Sequence, residues 1–498
     1  MSRVVVIGAG VGGLAAAARL AAGGHQVTVC EQAGEVGGKL AELRVDTPAG
    51  VFTFDTGPSL LTMPQVFTDL FAATGDPLES VLDLTPLDPV ARYTFADGTT
   101  LDACTDHAEL CRRLDRALGG SAGADWDRLW RRAERIWAAT NGPFLASPIS
   151  GPATLLRQAV HLRDLVTIAP WQTLRGLARS HLADPRLQML LERYATYTGS
   201  DPRRAPAALA AVPYAELAFG GWYVRGGLRR IAEAMLSRCA ELGVVIRTST
   251  EVRSVTVSGG RAAGVQLTDG GRLGADVVVA NADATHLYTD LVTVPGELTR
   301  LSRSTPSLSG FVLLLGLRGR TPGLAHHNVY FPVDYDAEFD AVFGLDGGTA
   351  RPVDDPTLYV SVPDDPAARP AGHEAWFVLV NAPRHGAGAG AIDWTAPRLA
   401  EDYATLLLSR LAERGLDIRD RLLFSEFRTP VDLAHDTRSP GGAIYGTSSN
   451  GPRAAFLRPA NRSRLAGLYL VGGSAHPGGG LPLVVLSAQI VAGLIGPA

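Results

Sequence analysis

Lysine is almost absent. Of the 46 basic residues in this chain of 498, only Lys39 is a lysine and the other 45 are arginines. With so much alanine, glycine and proline, that skew reads as GC-rich coding bias, not as a functional basic surface. The formal net charge is -4, and no basic tract or single-stranded binding module is visible, which argues against a nucleic-acid partner. Cysteine is scarce too. Cys30, Cys104, Cys111 and Cys239 form no CxxC pair and no metal-ligand spacing, so structural thiols in a reducing compartment and no metal centre are expected. No basic leader precedes the apolar strand that begins at Arg3-Val4, so a signal peptide is not expected. The two long apolar stretches, 4–24 and 480–498, are glycine-rich, and the first contains Arg19. They read as cofactor elements, not membrane spans.

What is present is apolar bulk. Hydrophobic residues make up 46% and charged residues 19%, enough for a large core, and at ~150 residues per domain the length suggests about three units. The opening segment, VVVIGAGVGGLAAAARLAAGGHQVTVCE (4–31), reads as one βαβ unit. Val4 to Ile7 is a buried parallel strand, the alanine-rich 14–22 a helix ended by Gly23-Gly24, and Gln26 to Cys30 a second strand. Between about 66 and 221 the periodicity is mostly helical, with helices expected at 108–118, 125–140, 153–168, 171–182 and 185–197. Residues 222–300 return to mixed structure, with a helix over 227–242 and strands near 244–248, 252–257, 262–268 and 276–280. The SGG at 258–260 and DGG at 269–271 are turns between them. Strands near 310–317, 327–332, 357–362 and 375–381 follow, then a helix over 396–415.

Gly8, Gly10 and Gly13 form GxGxxG between a strand and a helix. The first glycine permits the tight turn, the second lets backbone approach a pyrophosphate, and the third allows close helix–strand packing. The phosphate then meets the free amides and dipole of the helix N-terminus. Glu31 ends the second strand at the usual spacing for accepting a hydrogen bond from a ribose hydroxyl, and its charge disfavours a 2′-phosphate there. Gly37-Gly38-Lys39 makes a second glycine turn carrying the single lysine, either a compact cation retained beside phosphate or a chance survivor. FDTGPSLL (54–61) adds a turn at Gly57-Pro58. At the far end, GLYLVGGSAHPGGGLPLVVLSAQIVAGLI (467–495) reads strand, glycine loop, helix, an arrangement that gathers backbone amides around one spot.

These motifs resemble the bacterial carotenoid desaturases of the flavin amine-oxidase superfamily. The GG-[RK] turn, GGWYVRGGLRRIAEAM (220–235), GADVVVANADAT (274–285) and GAIYGTSSNGPRAAFLRPANRSRLAGLYLVGG (442–473) match in order and spacing. The match is weak over 75–215 and 318–420. GGGLPLVVLSAQI is closer to the hydroxycarotenoid 3,4-desaturases than to phytoene desaturases. Ala475 stands where the family usually has Thr, and no acidic residue lies near Gly473, where broader amine oxidases carry one.

The resemblance implies an α/β fold: a discontinuous Rossmann-like FAD-binding domain (1–70, 222–300 and 425–498) and a mixed substrate domain with a helical cap (71–221 and 301–424). It implies FAD held by the three glycines of the first loop, by Glu31, Gly38, Lys39, Gly57 and Pro58, by Val252, and by Gly472, Gly473, Leu481 and Pro482. The activity implied is introduction of C=C bonds into an apolar polyene, by hydride transfer to flavin, with alignment and a dry tunnel as the protein's share. No catalytic acid–base pair is evident. The candidates are His476, with shaping of the loop as its alternative role, and Tyr223 and Arg225, which by resemblance border the flavin's substrate face. His326-His327 and Asp364-Asp365 read as surface loops. The rival readings are a carotenoid isomerase, a carotenoid-end oxygenase, an amine oxidase and a non-catalytic polyene-binding flavoprotein. A water-insoluble substrate implies a cytoplasmic protein on the inner face of the cell membrane. The basic, Trp171-bearing stretch 153–182, with Arg157, Arg163, Arg175 and Arg179, is the expected docking face, a plain helical cap being the alternative.

Overall fold

In the computed structural model, residues 1–149, 166–345, 347–451, 454 and 458–498 are described. Most of the helix expected over 153–168, with Arg157 and Arg163, lies outside them.

A five-stranded parallel sheet forms one end of the molecule, in the order Val245–Arg247, Gln26–Cys30, Arg3–Ile7, Val277–Ala280, Leu468–Leu470. Its central strands are continuous apolar runs because both faces are covered. One face packs the helices Val11–Ala22, Arg229–Glu241 and Leu481–Ile495, through Leu14, Ile231 and Val485. The other packs the meander Val252–Ser258, Arg261–Leu267, Arg272–Gly274, through Val255 and Val265. The fold is α/β and Rossmann-like, as the motifs imply. Among the described residues no helix is long and apolar enough to cross a membrane.

The second sheet has seven strands, in the order Leu422–Arg428, Ser309–Arg318, His373–Ala382, Leu358–Ser361, His327–Tyr330, Ala91–Thr94, Thr100–Ala103. Its long strands alternate faces along their length. Phe311, Leu313 and Leu315 meet Tyr403, Leu407 and Leu411 of the helix Leu399–Glu413. Val312 and Leu314 point the other way, onto Phe52 and Phe54 of the hairpin Glu42–Thr47/Gly50–Asp55. That hairpin, grouped by sequence position with the cofactor segments, thus packs on the second sheet.

Helices His107–Leu118, Ala122–Thr140, Leu174–His181, Pro185–Glu192 and Ala211–Phe219 cap the far edge of this sheet through Trp126, Leu129 and Leu177, against Tyr93 and Phe331. The helical reading of 66–221 missed three short strands, Leu84–Pro86, Ala91–Thr94 and Thr100–Ala103. At three or four residues each they carry too little alternation to register. The Asp97-Gly98 turn that joins the last two, with Gly98 at φ +82°, is nonetheless an ordinary hairpin signal.

Candidate functional site

The parallel strands all end on one side, and each chain leaves the sheet there into a loop. Gly8 N–H donates to the Cys30 carbonyl, Glu31 N–H to Arg247, Asn281 N–H to Ile7, and Val471 N–H to Ala280. Hence Gly8, Glu31, Asn281 and Gly472 line one edge, the carboxyl end, where open α/β sheets bind ligands.

At this edge the first glycine loop is as tight as backbone allows. Gly8 takes a left-handed φ of +91°. A methyl group on Gly13 would lie 2.1 Å from the Gly8 carbonyl oxygen, and one on Gly10 would lie 2.8 Å from Asn281 Nδ2. Gly10 pairs with Gly37, and Gly37 N–H donates to the Ala9 carbonyl, so the second glycine turn is zipped onto the first. The helix Val11–Ala22 has no side-chain cap, and the amides of Val11, Gly12 and Gly13 donate to no described acceptor.

The C-terminal loop closes on the same point. A methyl on Gly472 would lie 2.6 Å from Asn281 Oδ1, and one on Gly12 would lie 3.2 Å from the Gly472 Cα. The helix Leu481–Ile495 starts at Gly480 without a side-chain cap, with Pro482 in its first turn. The N–H groups of Gly478, Gly479 and Gly480 also lack a described acceptor. Two uncapped helix N-termini and two amide-rich loops therefore converge on one spot. That is the donor set required by a pyrophosphate and the polar edge of a flavin.

Glu31 is buried; its carboxylate accepts from Ala9 N–H at 2.6 Å and Ala33 N–H at 2.9 Å. It braces the first loop, and a carboxylate retains lone pairs for a further donor. Lys39 donates to the Ile444 carbonyl at 2.5 Å. Its ammonium is reachable by solvent and yet enclosed by protein, and burial lowers its pKa while Asp283 opposes the shift. A methyl on Gly57 would strike the Lys39 carbonyl oxygen at 1.9 Å, so Gly57-Pro58 buttresses the lysine turn. Val252 and Leu481 are buried in the two hydrophobic cores beneath the edge.

Several residues that the sequence reading passed over lie against these loops. Arg229, from the GGLRR motif, is buried and donates to the Val36 carbonyl and, at 3.4 Å, to Leu40, holding the lysine turn. Asp55 accepts from the amides of Leu228 and Arg229 at 2.8 and 3.1 Å, and burial raises its pKa to about 6. Arg458 donates to the carbonyls of Tyr445, Thr447 and Gly473, and burial lowers its pKa to about 10. Tyr445 lies against the loop, 2.5 Å from where a methyl on Gly479 would stand, and burial pushes its phenol up to about 12. Asp283 is the acidic group beside the glycine loop: it lies by Ser474 and Gly446, and burial raises its pKa while Lys39 lowers it. The signal was present in ANADAT, where polar residues directly follow an all-apolar strand.

The catalytic candidates occupy different surroundings. The His476 ring is 6% exposed and contacts the Ser147 carbonyl at 3.0 Å, and burial lowers its pKa to about 4. Its own carbonyl accepts from Asn461 Nδ2 and Ser487 Oγ, each at 2.8 Å. Tyr223 is buried, donates to Asp365 Oδ2 at 3.0 Å and packs its ring 4.6 Å from His326. Arg225 is solvent-exposed in an ion pair with Asp83 at 2.9 Å. The surface-loop reading of the His and Asp pairs fails for three of the four residues. His327 begins an interior strand and is buried, and Asp365 is buried, accepting from Gly226 N–H. His326 is held neutral by burial, which lowers its pKa to about 4. Only Asp364 is exposed, paired with Arg320 and Arg369.

Comparison with known proteins agrees with this geometry. The family model for flavin containing amine oxidoreductase matches residues 11–496. A 4,4'-diapolycopene oxygenase from Methylomonas sp is 37% identical over 497 residues, spanning 98% of this chain and 97% of that protein. A hydroxyneurosporene desaturase from Cereibacter sphaeroides is 34% identical over 498 residues, spanning 98% and 96%. Among solved structures, an oxidoreductase from Methanosarcina mazei superposes with a TM-score of 0.61 at 16% identity, covering 99% of this chain and all of that one. The cofactor is a flavin, and a dinucleotide-type loop at the sheet edge calls for the adenine-bearing form, FAD. The chain belongs to the family of flavin-containing amine oxidoreductases.

Proposed function

We propose that this FAD-dependent oxidoreductase is a carotenoid desaturase, introducing C=C bonds into an apolar polyene. The observation that carries the reading is the end-to-end similarity to two proteins whose names differ in reaction but share a polyene substrate. Bound FAD supplies a hydride acceptor. The buried phenols and imidazole beside the Gly57-Pro58 turn and the closing loop suit alignment more than proton traffic. The phenols of Tyr445 and Tyr359 are pushed up to about 12 by burial, and His327 is held far below the usual histidine range. An open surface cavity of about 660 Å³ lies between Pro64, Val81, Leu82, Leu84 and Trp222, with Thr68, Glu79, Ser80 and Asp83 also in its wall.

The test is anaerobic mixing of the yellow protein with a polyene carried in vesicles. Bleaching of the flavin, with a product lighter by a pair of hydrogens and absorbing at longer wavelength, is the expected result. No bleaching by any polyene would sink the reading. The 37% identity to an oxygenase favours a second outcome, incorporation of labelled dioxygen into a chain end. That product would replace the desaturase reading with the oxygenase one.

The same reading assigns roles at the FAD site. The loops of Gly8–Gly13 and Gly472–Leu481 take the pyrophosphate and flavin edge, Glu31 the ribose, and His476 fixes the closing loop without taking part in chemistry. The division into cofactor and substrate domains is retained, with the hairpin 42–55 moved to the substrate side. Peripheral membrane docking also belongs to this reading. Val166 and Trp171 are 62% and 70% exposed, and Arg179 is exposed on the helix that follows. Arg175 does not belong to that face: it pairs inward with Glu192 and Asp336.

A further inference from the structure

We propose that Arg458, together with Lys39 and Asp283, sets the reduction potential of the bound flavin by leaving one positive charge uncompensated beside the closing loop. The inference rests on the placement of the flavin edge at the loop 472–481, and adds to it the residues that tune the cofactor.

Arg458 belongs to the RPANR segment (458–462), and its guanidinium is bonded into the closing loop. Nη1 donates to the carbonyls of Gly473 at 2.7 Å and Tyr445 at 3.1 Å, and Nη2 to that of Thr447 at 2.6 Å. The guanidinium carbon lies 3.7 Å from where a methyl on Gly478 would stand, so the side chain touches both limbs of the glycine loop. Its acceptors among the described residues are all backbone carbonyls, and none is a carboxylate. Lys39 enters the same run of chain from the first loop, donating to the carbonyls of Ala443 at 3.5 Å and of Ile444. One carboxylate shares this neighbourhood. Asp283 Oδ2 lies 3.7 Å from the methyl position on Gly446, and the amide of Ala284 donates to Ser474 Oγ at 2.9 Å.

The other titratable groups beside the loop are neutral or paired. Burial holds the His476 imidazole uncharged, and the Arg458 charge pushes the same way. Burial likewise keeps the Tyr445 phenol protonated. Arg300, which donates to the Arg458 carbonyl at 2.6 Å, also pairs with Glu297 at 3.7 Å. Burial lowers the Arg458 pKa only to about 10, with Asp283 opposing the shift, so the guanidinium stays charged at neutral pH. Burial works against the charges of Lys39 and Asp283, and each charge supports the other. Two cations beside one carboxylate leave a net positive charge.

Desaturation has a charge balance that this arrangement suits. One carbon of the polyene loses a hydride, which carries two electrons to the flavin. Its neighbour loses a proton to water, and the C=C bond forms between them. The flavin ring ends one negative charge richer, held on its polar edge. A fixed cation beside that edge favours the reduced ring over the oxidised one, and so raises the potential. A carbon–hydrogen bond with no heteroatom beside it is a weak hydride donor, so a strongly oxidising flavin is what such a substrate requires.

The experiment measures the midpoint potential of the intact flavoprotein and of its charge variants, by equilibration with reference dyes and without substrate. Arg458→Gln and Lys39→Gln should each lower the potential, by an amount equal to at least about a ten-fold loss of affinity for reduced relative to oxidised flavin. Asp283→Asn removes a negative charge and should raise it. Arg458→Lys should stay close to the parent. Mere loosening of the loop would move every variant the same way, toward the potential of free flavin, and that pattern overturns the proposal. So does a potential unmoved in Arg458→Gln. Where Arg458→Gln does not fold, the opposite signs expected of Lys39→Gln and Asp283→Asn decide the matter. The placement of the flavin edge has its own control. Gly472→Ala sets a methyl 2.6 Å from Asn281 Oδ1 and should purify with little flavin. Full occupancy there takes the closing loop out of the flavin site, and the inference falls with it. A flavin-poor Gly472→Ala beside an unmoved Arg458→Gln refutes the inference alone.

Discussion

Asn281 stands at the centre of the site. Its side chain lies within 3 Å of where methyl groups on Gly10, Gly12 and Gly472 would be, so three glycines from distant parts of the chain are fixed by one amide. Gly10 has an ordinary φ of -70°, so its requirement is space and not backbone freedom. Gly10→Val would drive a branched side chain into Asn281 and into the room left for pyrophosphate. The expected outcome is a folded, colourless protein, with circular dichroism like the parent and no flavin released on denaturation. Full flavin occupancy in that variant would refute the assignment of the first loop. GxGxxG and Glu31 were legible because everything that makes them a site lies within one βαβ unit. Asn281, Asp283 and Arg229 were not. Each gains its meaning from partners far off in the chain, Gly10 and Gly472 for Asn281, Gly446 for Asp283 and Val36 for Arg229, a convergence that no local pattern encodes.

At the scale of elements, the closing loop 472–482 is held by a histidine that must stay neutral. The His476 pKa falls from 6.5 to about 4 because burial disfavours the imidazolium. Between those values the unfolded or opened chain binds more protons than the native one, so stability is intact above pH 6.5 and is lost as pH falls toward 4. The gap corresponds to about 3 kcal/mol at most. His326 and His327 titrate in the same direction. Asp55 acts oppositely. With its pKa raised from 3.8 to about 6, it favours the native state below 3.8 and withdraws that support as pH rises through 6. Flavin release on acidification should therefore begin near pH 6.5 and, in His476→Gln, shift to lower pH. An unchanged release midpoint, followed by flavin fluorescence, would remove His476 from the loop's anchorage. The elements themselves were legible where they were long. The ten-residue strands Ser309–Arg318 and His373–Ala382 stand out by their apolar content. Leu422–Arg428 is half-buried along its length and shows no alternation, so the sequence does not announce it.

For the whole molecule, the substrate's insolubility sets the remaining problem, because a polyene about as long as the ~30 Å hydrocarbon core resides in the bilayer. Val166, Trp171 and Arg179 offer the exposed apolar, aromatic and cationic groups that an interface accommodates. Replacing them together, as Val166→Ser, Trp171→Ala and Arg179→Glu, should reduce sedimentation with anionic liposomes several-fold and leave the flavin spectrum intact. Sedimentation like the parent's would place the docking face elsewhere. The domain arrangement was legible only in outline, since the hairpin 42–55 sits on the second sheet by virtue of Phe52 and Phe54 and not of its place in the chain.

The order of strands in the parallel sheet also governs when the protein can load its cofactor. Leu468–Leu470 is an edge strand laid against Val277–Ala280, and the loop it feeds supplies the second amide cluster. A ribosome delivers the chain from its N-terminus, so the first glycine loop exists long before its counterpart. More than 400 residues separate it from the second amide cluster in the order of synthesis. Both amide clusters stand together only once this last strand has joined the sheet, so a chain truncated before Leu468 is expected to purify without flavin, which its absorbance spectrum would check.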